Sequence, residues 1–318
     1  MSIYRFIIIR LLQMLAVIFG TVTVLFVVVY LLVPGDAAQA IMGTRATPQA
    51  LASLRHELGL DQPVWVQYGL YLWRLLHLDL GTSYELNRSV TSVIGDYLPA
   101  TAYLTGAALL LETVAGVGWG IFMAGRRSAH WETTSSLLGA ILLATPVFFL
   151  GMLLQYLVGS KIGLLPLSGL GGYNPLYLVL PAITLAAAQS VIVGNVARSS
   201  LESEMRKPYM LAARSRGLTR RQSIIRHAAR NAAGPVVTLL AIDFGSLLGG
   251  AMITEIVFSW PGLGRMTYFA ALSRDVPLIV GAVIVLVTFF IVINSAVDIL
   301  YALLNPRVKL GDGSSARP

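Results

Sequence analysis

The sequence predicts an all-α integral membrane protein with six transmembrane helices, and three observations carry that prediction. Apolar residues make up 56% of the chain and charged ones 12%, with a mean hydropathy of +0.74; soluble domains do not have this composition. The apolar residues gather into runs that match the roughly 20 helical residues needed to cross a bilayer. The basic residues, 23 in all, sit mostly at the ends of those runs, as expected where Lys and Arg mark cytoplasmic loops. The net charge of +8 therefore reflects membrane topology and not a nucleic-acid surface. With no cysteines, disulfides and thiolate metal sites are excluded.

Taken in order, Arg5 and Arg10 precede an apolar run from Leu11 to Val33. Ala38-Gln39-Ala40 imitates a signal cleavage site, but a signal's apolar core is about 7–15 residues, so residues 1–33 read as an N-terminus and an uncleaved first span. Residues 34–97 read as an extracytoplasmic segment. Within it Thr47 and Pro48 are an N-cap and first-turn pair, Leu51, Leu54 and Leu58 share a face, and Gly59 stops the helix. A second amphipathic stretch from Pro63 to Leu78 carries Trp65, Tyr68, Tyr71 and Trp73, aromatics suited to a membrane interface.

Residues 98–318 hold the other five spans. The second, 100–124, has Glu112 near its middle and a small-residue face at Gly116, Gly118 and Gly120. The third, 135–158, should bend at Thr145-Pro146. The fourth covers 175–196. The fifth, 236–258, has a second small face at Gly245, Gly249 and Gly250, and the sixth ends near Leu304. Both termini inside would place Arg5, Arg10, Arg126, Arg127, nine residues of one loop, Arg307, Lys309 and Arg317 in the cytoplasm, 16 of 23.

That loop, residues 198–235, is the most polar long segment of the chain. Its basic residues are Arg198, Arg206, Lys207, Arg214, Arg216, Arg220, Arg221, Arg226 and Arg230. Tyr209 to Arg216 favours a helix, Gly217 can take a left-handed turn, and Thr219 can cap a second short helix before Pro235. The expected product is a compact knob on the cytoplasmic side.

The knob carries a resemblance. Ala212-Ala213-x-x-x-Gly217 resembles the EAA loop of bacterial ABC importer permeases. The longer pattern, Tyr209, Ala213, Arg214 and Gly217 with Arg226-His227-Ala228-x-Arg230-Asn231-Ala232-x-x-Pro235, is similar to their dipeptide/oligopeptide/nickel branch. Leu211 stands where the general motif has an acid, as it often does in that branch. Leu58 to Pro63, Leu78 to Ser83, Leu98 to Thr101, Phe258 to Arg265, Arg274-Asp275-x-Pro277, and Asn294, Asp298 to Tyr301 and Asn305 to Arg307 extend the likeness along the chain. The resemblance implies a bacterial inner-membrane permease subunit. Its partners would be a homologous second permease, two ATP-binding subunits and an extracytoplasmic solute-binding protein, for which the outer segment is a candidate seat. It also implies that Tyr209, Ala212, Ala213, Arg214, Gly217, Arg226, His227, Arg230 and Asn231 couple to the ATPase.

The sequence carries no phosphate-binding loop, no nucleophile elbow, no His-Glu-x-x-His and no His pair at ligand spacing. This subunit is expected to be non-catalytic, to bind no cofactor or metal, and to rely on ATP and Mg used by its partners. Glu112, Asp243 and Glu255, with Asp298, are acids in or at the end of spans. Such groups are functional candidates because burying them is costly, and the first three are candidates for the translocation pathway. For Glu255 and Asp298 the competing reading is contact with water or a basic partner. On substrate, the short Lys161–Asn174 loop and the Leu72-Trp73-x-x-x-His77-Leu78-Asp79 stretch tilt the reading towards nickel or metal chelates, with di- and oligopeptides as the alternative. Outside the class, an ion-gradient secondary transporter would favour inverted repeats with paired broken helices, which are not evident, and a membrane scaffold would need neither the loop nor the glycine faces.

Overall fold

A computed structural model describes residues 3–28, 38, 47–57, 59–125 and 129–304. Leu58, Gln39-Ala40, Arg126, Arg127, Asn305 to Arg307, Lys309 and Arg317 lie outside the described residues. The elements are all helical: α1 (Ile3–Val27), α2 (Pro48–Glu57), α3 (Val64–Leu76), α4 (Val90–Ala124), α5 (Ala129–Ala144), α6 (Val147–Leu154), α7 (Pro175–Met205), α8 (Pro208–Ser215), α9 (Arg220–Ser223), α10 (Ala229–Val257), α11 (Leu263–Leu272) and α12 (Val276–Leu304). A wide π-helical segment, Gln155–Lys161, continues α6, and another, Ile224–Ala228, joins α9 to α10.

Among the described residues four helices are long and apolar enough to span a membrane, and up to six spans result if two bent pairs each count as one. The expected bend at Thr145-Pro146 is a full break: α5 and the α6 continuation meet at 103°. Proline disfavours helical backbone at the residue before it, and Pro146 sits outside the helix as the N-cap of α6. Gln155 Nε2 then holds the returning chain by donating to Leu167 O at 2.8 Å and Val257 O at 3.1 Å. The second bent pair breaks by 50° between Gly245 and Leu247.

Three expected boundaries move outward. The second span begins at Val90, ten residues early, and passes through Pro99 unbroken. The fourth runs to Met205, into the polar loop. The short helix after Gly217 does not end before Pro235; α9, the π-helical turn and α10 follow without a gap, with Pro235 inside α10. Apolar runs mark where lipid is, whereas the helical hydrogen-bond ladder continues until a cap stops it.

The core is the α4–α7 pair. A Cβ on Gly116 would come within 2.8 Å of Ser190 O and Val193, and one on Gly120 within 2.6 Å of Gly194 O. Gly118 meets nothing. A spacing of four keeps Gly116 and Gly120 on one face while Gly118 turns away. α10 closes the trio, with Leu247 and Ala251 packed among Leu104, Ala108, Leu185 and Ala186.

α3 docks against the C-terminal part of α1. Tyr68 OH lies 2.6 Å from Thr23 Oγ1, and the Phe26 ring meets Tyr68 and Tyr71 at centroid distances of 5.0 and 5.6 Å. Trp65 and Trp73 stay exposed. Asp275, buried at the head of α12, accepts from Ser83 Oγ, from Glu85 N at 3.3 Å and from Leu278 N at 3.3 Å. One carboxylate thus caps a span and pins the loop leading into α4. Asp275→Ala strands these donors, at about 1–3 kcal/mol each for buried groups, and is expected to lower the melting temperature of the purified chain where Asp275→Asn lowers it less.

Candidate functional site: the polar knob and the intramembrane acids

The knob forms because each of its turns is chemically specified. α8 ends at a left-handed Gly217 (φ +88°), with Leu218 N donating back to Ala213 O at 3.4 Å, a closure that satisfies an orphan carbonyl. Thr219 Oγ1 accepts from Gln222 N at 3.3 Å while Gln222 Oε1 accepts from Thr219 N at 3.0 Å. This reciprocal capping box starts α9; the Thr219-x-x-Gln222 spacing could have revealed Gln222 from sequence.

Below the turn, Met210 packs with Leu201, Ala124, Ala228 and Ala232, tying the knob to α4, α7 and α10. Tyr209 is the polar pin: its hydroxyl donates to Glu204 Oε2 at 2.5 Å and accepts from Asn231 Nδ2 at 3.2 Å. Lys207 Nζ holds the other Glu204 oxygen at 2.5 Å. Burial, then the bond to Glu204, raises the Tyr209 phenol above its ordinary range, so it remains a hydrogen-bond donor at neutral pH. Glu204 and Lys207 complete this cluster, and sequence reasoning did not single them out as partners of Tyr209.

The nine loop residues divide by direction. Ala213 is buried and Tyr209 half-buried against the bundle, while Ala212, Gly217, Arg226, His227, Arg230 and Asn231 are exposed. Arg214 sits in α8 between Ala213 and Ser215. Leu211 (70% exposed) and Ile225 (61% exposed) flank the turn. The outward face of the knob is therefore apolar at two points and basic around them.

The three acids are placed differently from one another. Glu255 is engaged on both oxygens: Oε1 accepts from Thr101 Oγ1 at 2.6 Å and Oε2 from Arg265 N at 2.8 Å. Thr101 Oγ1 accepts in turn from Leu263 N at 2.7 Å. The sequence offered Glu255 as a pathway candidate or a group reaching water or a basic partner; in the fold its carboxylate lies over the N-terminus of α11, where free N–H groups and the helix dipole favour an anion. Glu112 (0% exposed) and Asp243 (5% exposed) lie inside the α4–α7–α10 trio. The side chain of Asp298 falls outside what is described. Among the described residues no group of three or more His, Cys, Asp or Glu side chains is placed to hold a metal ion.

Two family models match the sequence of this chain. The binding-protein-dependent transport system inner membrane component covers residues 116–310, which include the knob, and its N-terminal counterpart covers 3–105. The chain belongs to the binding-protein-dependent ABC importer permeases. Relatives agree along most of the chain. The permease is 35% identical to the dipeptide transport system permease protein DppB of Alkalihalophilus pseudofirmus, covering 94% of this chain and 98% of the relative. It is 36% identical to the glutathione transport system permease protein GsiC of Salmonella typhimurium, over 94% and 97%, and 35% identical to Escherichia coli DppB, over 87% and 91%. Among solved structures, a chain of the MetNI methionine ABC transporter in an inward-facing conformation matches with a TM-score of 0.54 at 18% identity, covering 67% of this permease and 96% of that chain. At that identity the likeness speaks to the fold. The permease is an inner-membrane subunit of an ABC importer, in the peptide branch of the family.

Proposed function

We propose that this subunit forms half of an import pathway for small peptides and drives it through the knob, with both termini and the knob in the cytoplasm. Its partners are a second permease subunit, two ATP-binding subunits that consume ATP and Mg, and an extracytoplasmic solute-binding protein resting on residues 34–97. The subunit itself is non-catalytic. The observation that carries the coupling role is the knob's construction. A helix–turn–helix pinned by Tyr209 and packed on three spans presents Leu211, Ala212 and Ile225 outward among basic residues. Such a face suits a groove on another protein, and its rigid base transmits a displacement to α7 and α10. Tyr209, Ala212, Ala213, Arg214, Gly217, Arg226, His227, Arg230 and Asn231 are assigned to it.

The substrate class rests on the relatives, whose names are those of dipeptide and glutathione permeases. That outweighs the short 161–174 loop, which leans towards nickel. Uptake of a labelled dipeptide, glutathione and nickel in a strain lacking this chain tests the proposal. Loss of peptide uptake with nickel accumulation intact is expected; the reverse overturns the peptide reading, and uptake insensitive to ATP depletion overturns the ATP-driven one.

Tyr209→Phe tests the pin. The lost bond is to a charged group, worth about 1.5–3 kcal/mol when buried and nearer 1 kcal/mol in this half-exposed setting. Peptide uptake is expected to fall severalfold with unchanged amounts of permease in the membrane. Wild-type uptake would remove Tyr209 from the coupling machinery.

A further inference from the structure

Glu112 on α4, Gln189 on α7 and Asp243 on α10 lie at one level of the bundle. Two apolar clusters fix that level. Ala108, Ala186 and Leu247 form part of one, and Val117, Val193 and Leu240 part of the other. On each helix the polar residue falls between its two cluster members. Asp243 Oδ1 accepts from Gln189 Nε2 at 3.0 Å. Asp243 Oδ2 and both Glu112 oxygens are buried with no hydrogen-bond partner among the described residues, on helices that pack against each other.

Around the pair, α4, α7 and α10 supply no positive charge, and on α5, packed against α7, His130 lies near the end where Glu132 meets Arg198. Residues 90–125, 175–197 and 231–264 contain no Lys, Arg or His. The neighbouring Ser190 hydroxyl is committed to Ala186 O at 2.8 Å. α12 packs on α10 through Phe289 and Phe290 and has no charged residue from 276 to 297; α6 has none. α11 has only Arg265, which faces Ser259 O and the Phe269 ring. As a pair of anions, two buried carboxylates that share a single hydrogen bond and have no counter-charge carry a large desolvation cost, which a cation taken up from solution relieves. Two acids are too few to cage a divalent ion; one monovalent cation between them halves the charge of the pair, as a shared proton does in a carboxylate dyad.

We infer that Glu112, Asp243 and Gln189 form a binding site for one monovalent cation, either a sodium ion or a proton shared between the carboxylates. The site joins the three helices of the core, two of which carry the knob. A bound cation therefore stabilises the packing on which coupling depends, by the linkage that favours any ligand-binding state. It needs no assumption about the imported substrate.

The test is the melting temperature of the full-length chain in lipid nanodiscs. One arm exchanges NaCl for choline chloride at constant ionic strength, and the other varies pH in choline. A rise on the order of 2 °C per tenfold increase in sodium above its dissociation constant, or a comparable rise on acidification, is expected. The first identifies sodium and the second a proton. Glu112→Gln with Asp243→Asn should remain folded, since both buried charges are gone, and lose the dependence. If that variant does not fold, Glu112→Gln alone is measured, with the infrared carboxyl band of the wild type as a second readout. A wild type indifferent to both sodium and pH overturns the site, as does a dependence that survives in the variants.

Discussion

Replacing Gly217 with proline is expected to abolish peptide uptake while the permease still reaches the membrane and its ATPase partners still hydrolyse ATP. Gly217 holds φ at +88°, whereas proline fixes φ near −65°, so the turn between α8 and α9 cannot close. A Cβ at this position meets nothing within 4 Å; any effect is therefore conformational and not steric. This makes a graded series informative. Asn tolerates the left-handed region and should retain most uptake. Ala, at a cost of about 1–2 kcal/mol, should lose uptake by roughly tenfold. Proline should lose it altogether. Uptake that ignores this order, or wild-type uptake with proline, would show that the knob does not transmit the power stroke.

The same turn shows how much was legible in the sequence. Gly217, Thr219 and the helix over Tyr209 to Arg216 were readable because turn and cap chemistry is local, set by residues within four positions. That the chain is all-helical with several apolar spans was legible for a similar reason, being a property of single segments. Where helices stop was not: α4 starts before its apolar run and α7 ends after its own, because a helix extends through polar residues as long as its ladder is satisfied. The site was legible in residue type and not in partnership. Glu112, Asp243 and Glu255 all read as costly acids, yet Thr101 reaches Glu255 across 154 positions and Gln189 reaches Asp243 across 54. No local pattern contains those distances. Burial without partners and burial with full hydrogen bonding look alike until the helices are assembled.

That distinction sets the second large effect. Glu255→Ala is expected to remove most folded permease from the membrane, because it strands donors packed where water does not enter. Thr101 and the segment at Gly264 and Arg265 lose their acceptor, at about 1–3 kcal/mol for each unsatisfied group. The motif around the acid is built to its shape. Trp260 is fully buried, with Nε1 donating to Ala100 O at 2.9 Å. A Cβ on Gly262 would collide with the Glu255 carboxylate, and one on Gly264 would fall 2.7 Å from Met252 Cα. Backbone cannot yield as a flexible side chain can, so Gly264→Ala should be about as damaging as Glu255→Ala. Thr101→Val, which removes both the donor to Glu255 and the acceptor for Leu263 N, should fall between these and the wild type, and Thr101→Ser should match the wild type. If Glu255 instead lined a solute path, Glu255→Gln would change transport while leaving stability alone, and Thr101 and Gly264 variants would not track it. Thermal denaturation of the full-length chain beside peptide uptake separates the two: stability falling in the order given assigns the acid to holding α11 against α4, whereas unaltered melting with altered uptake would return it to the pathway.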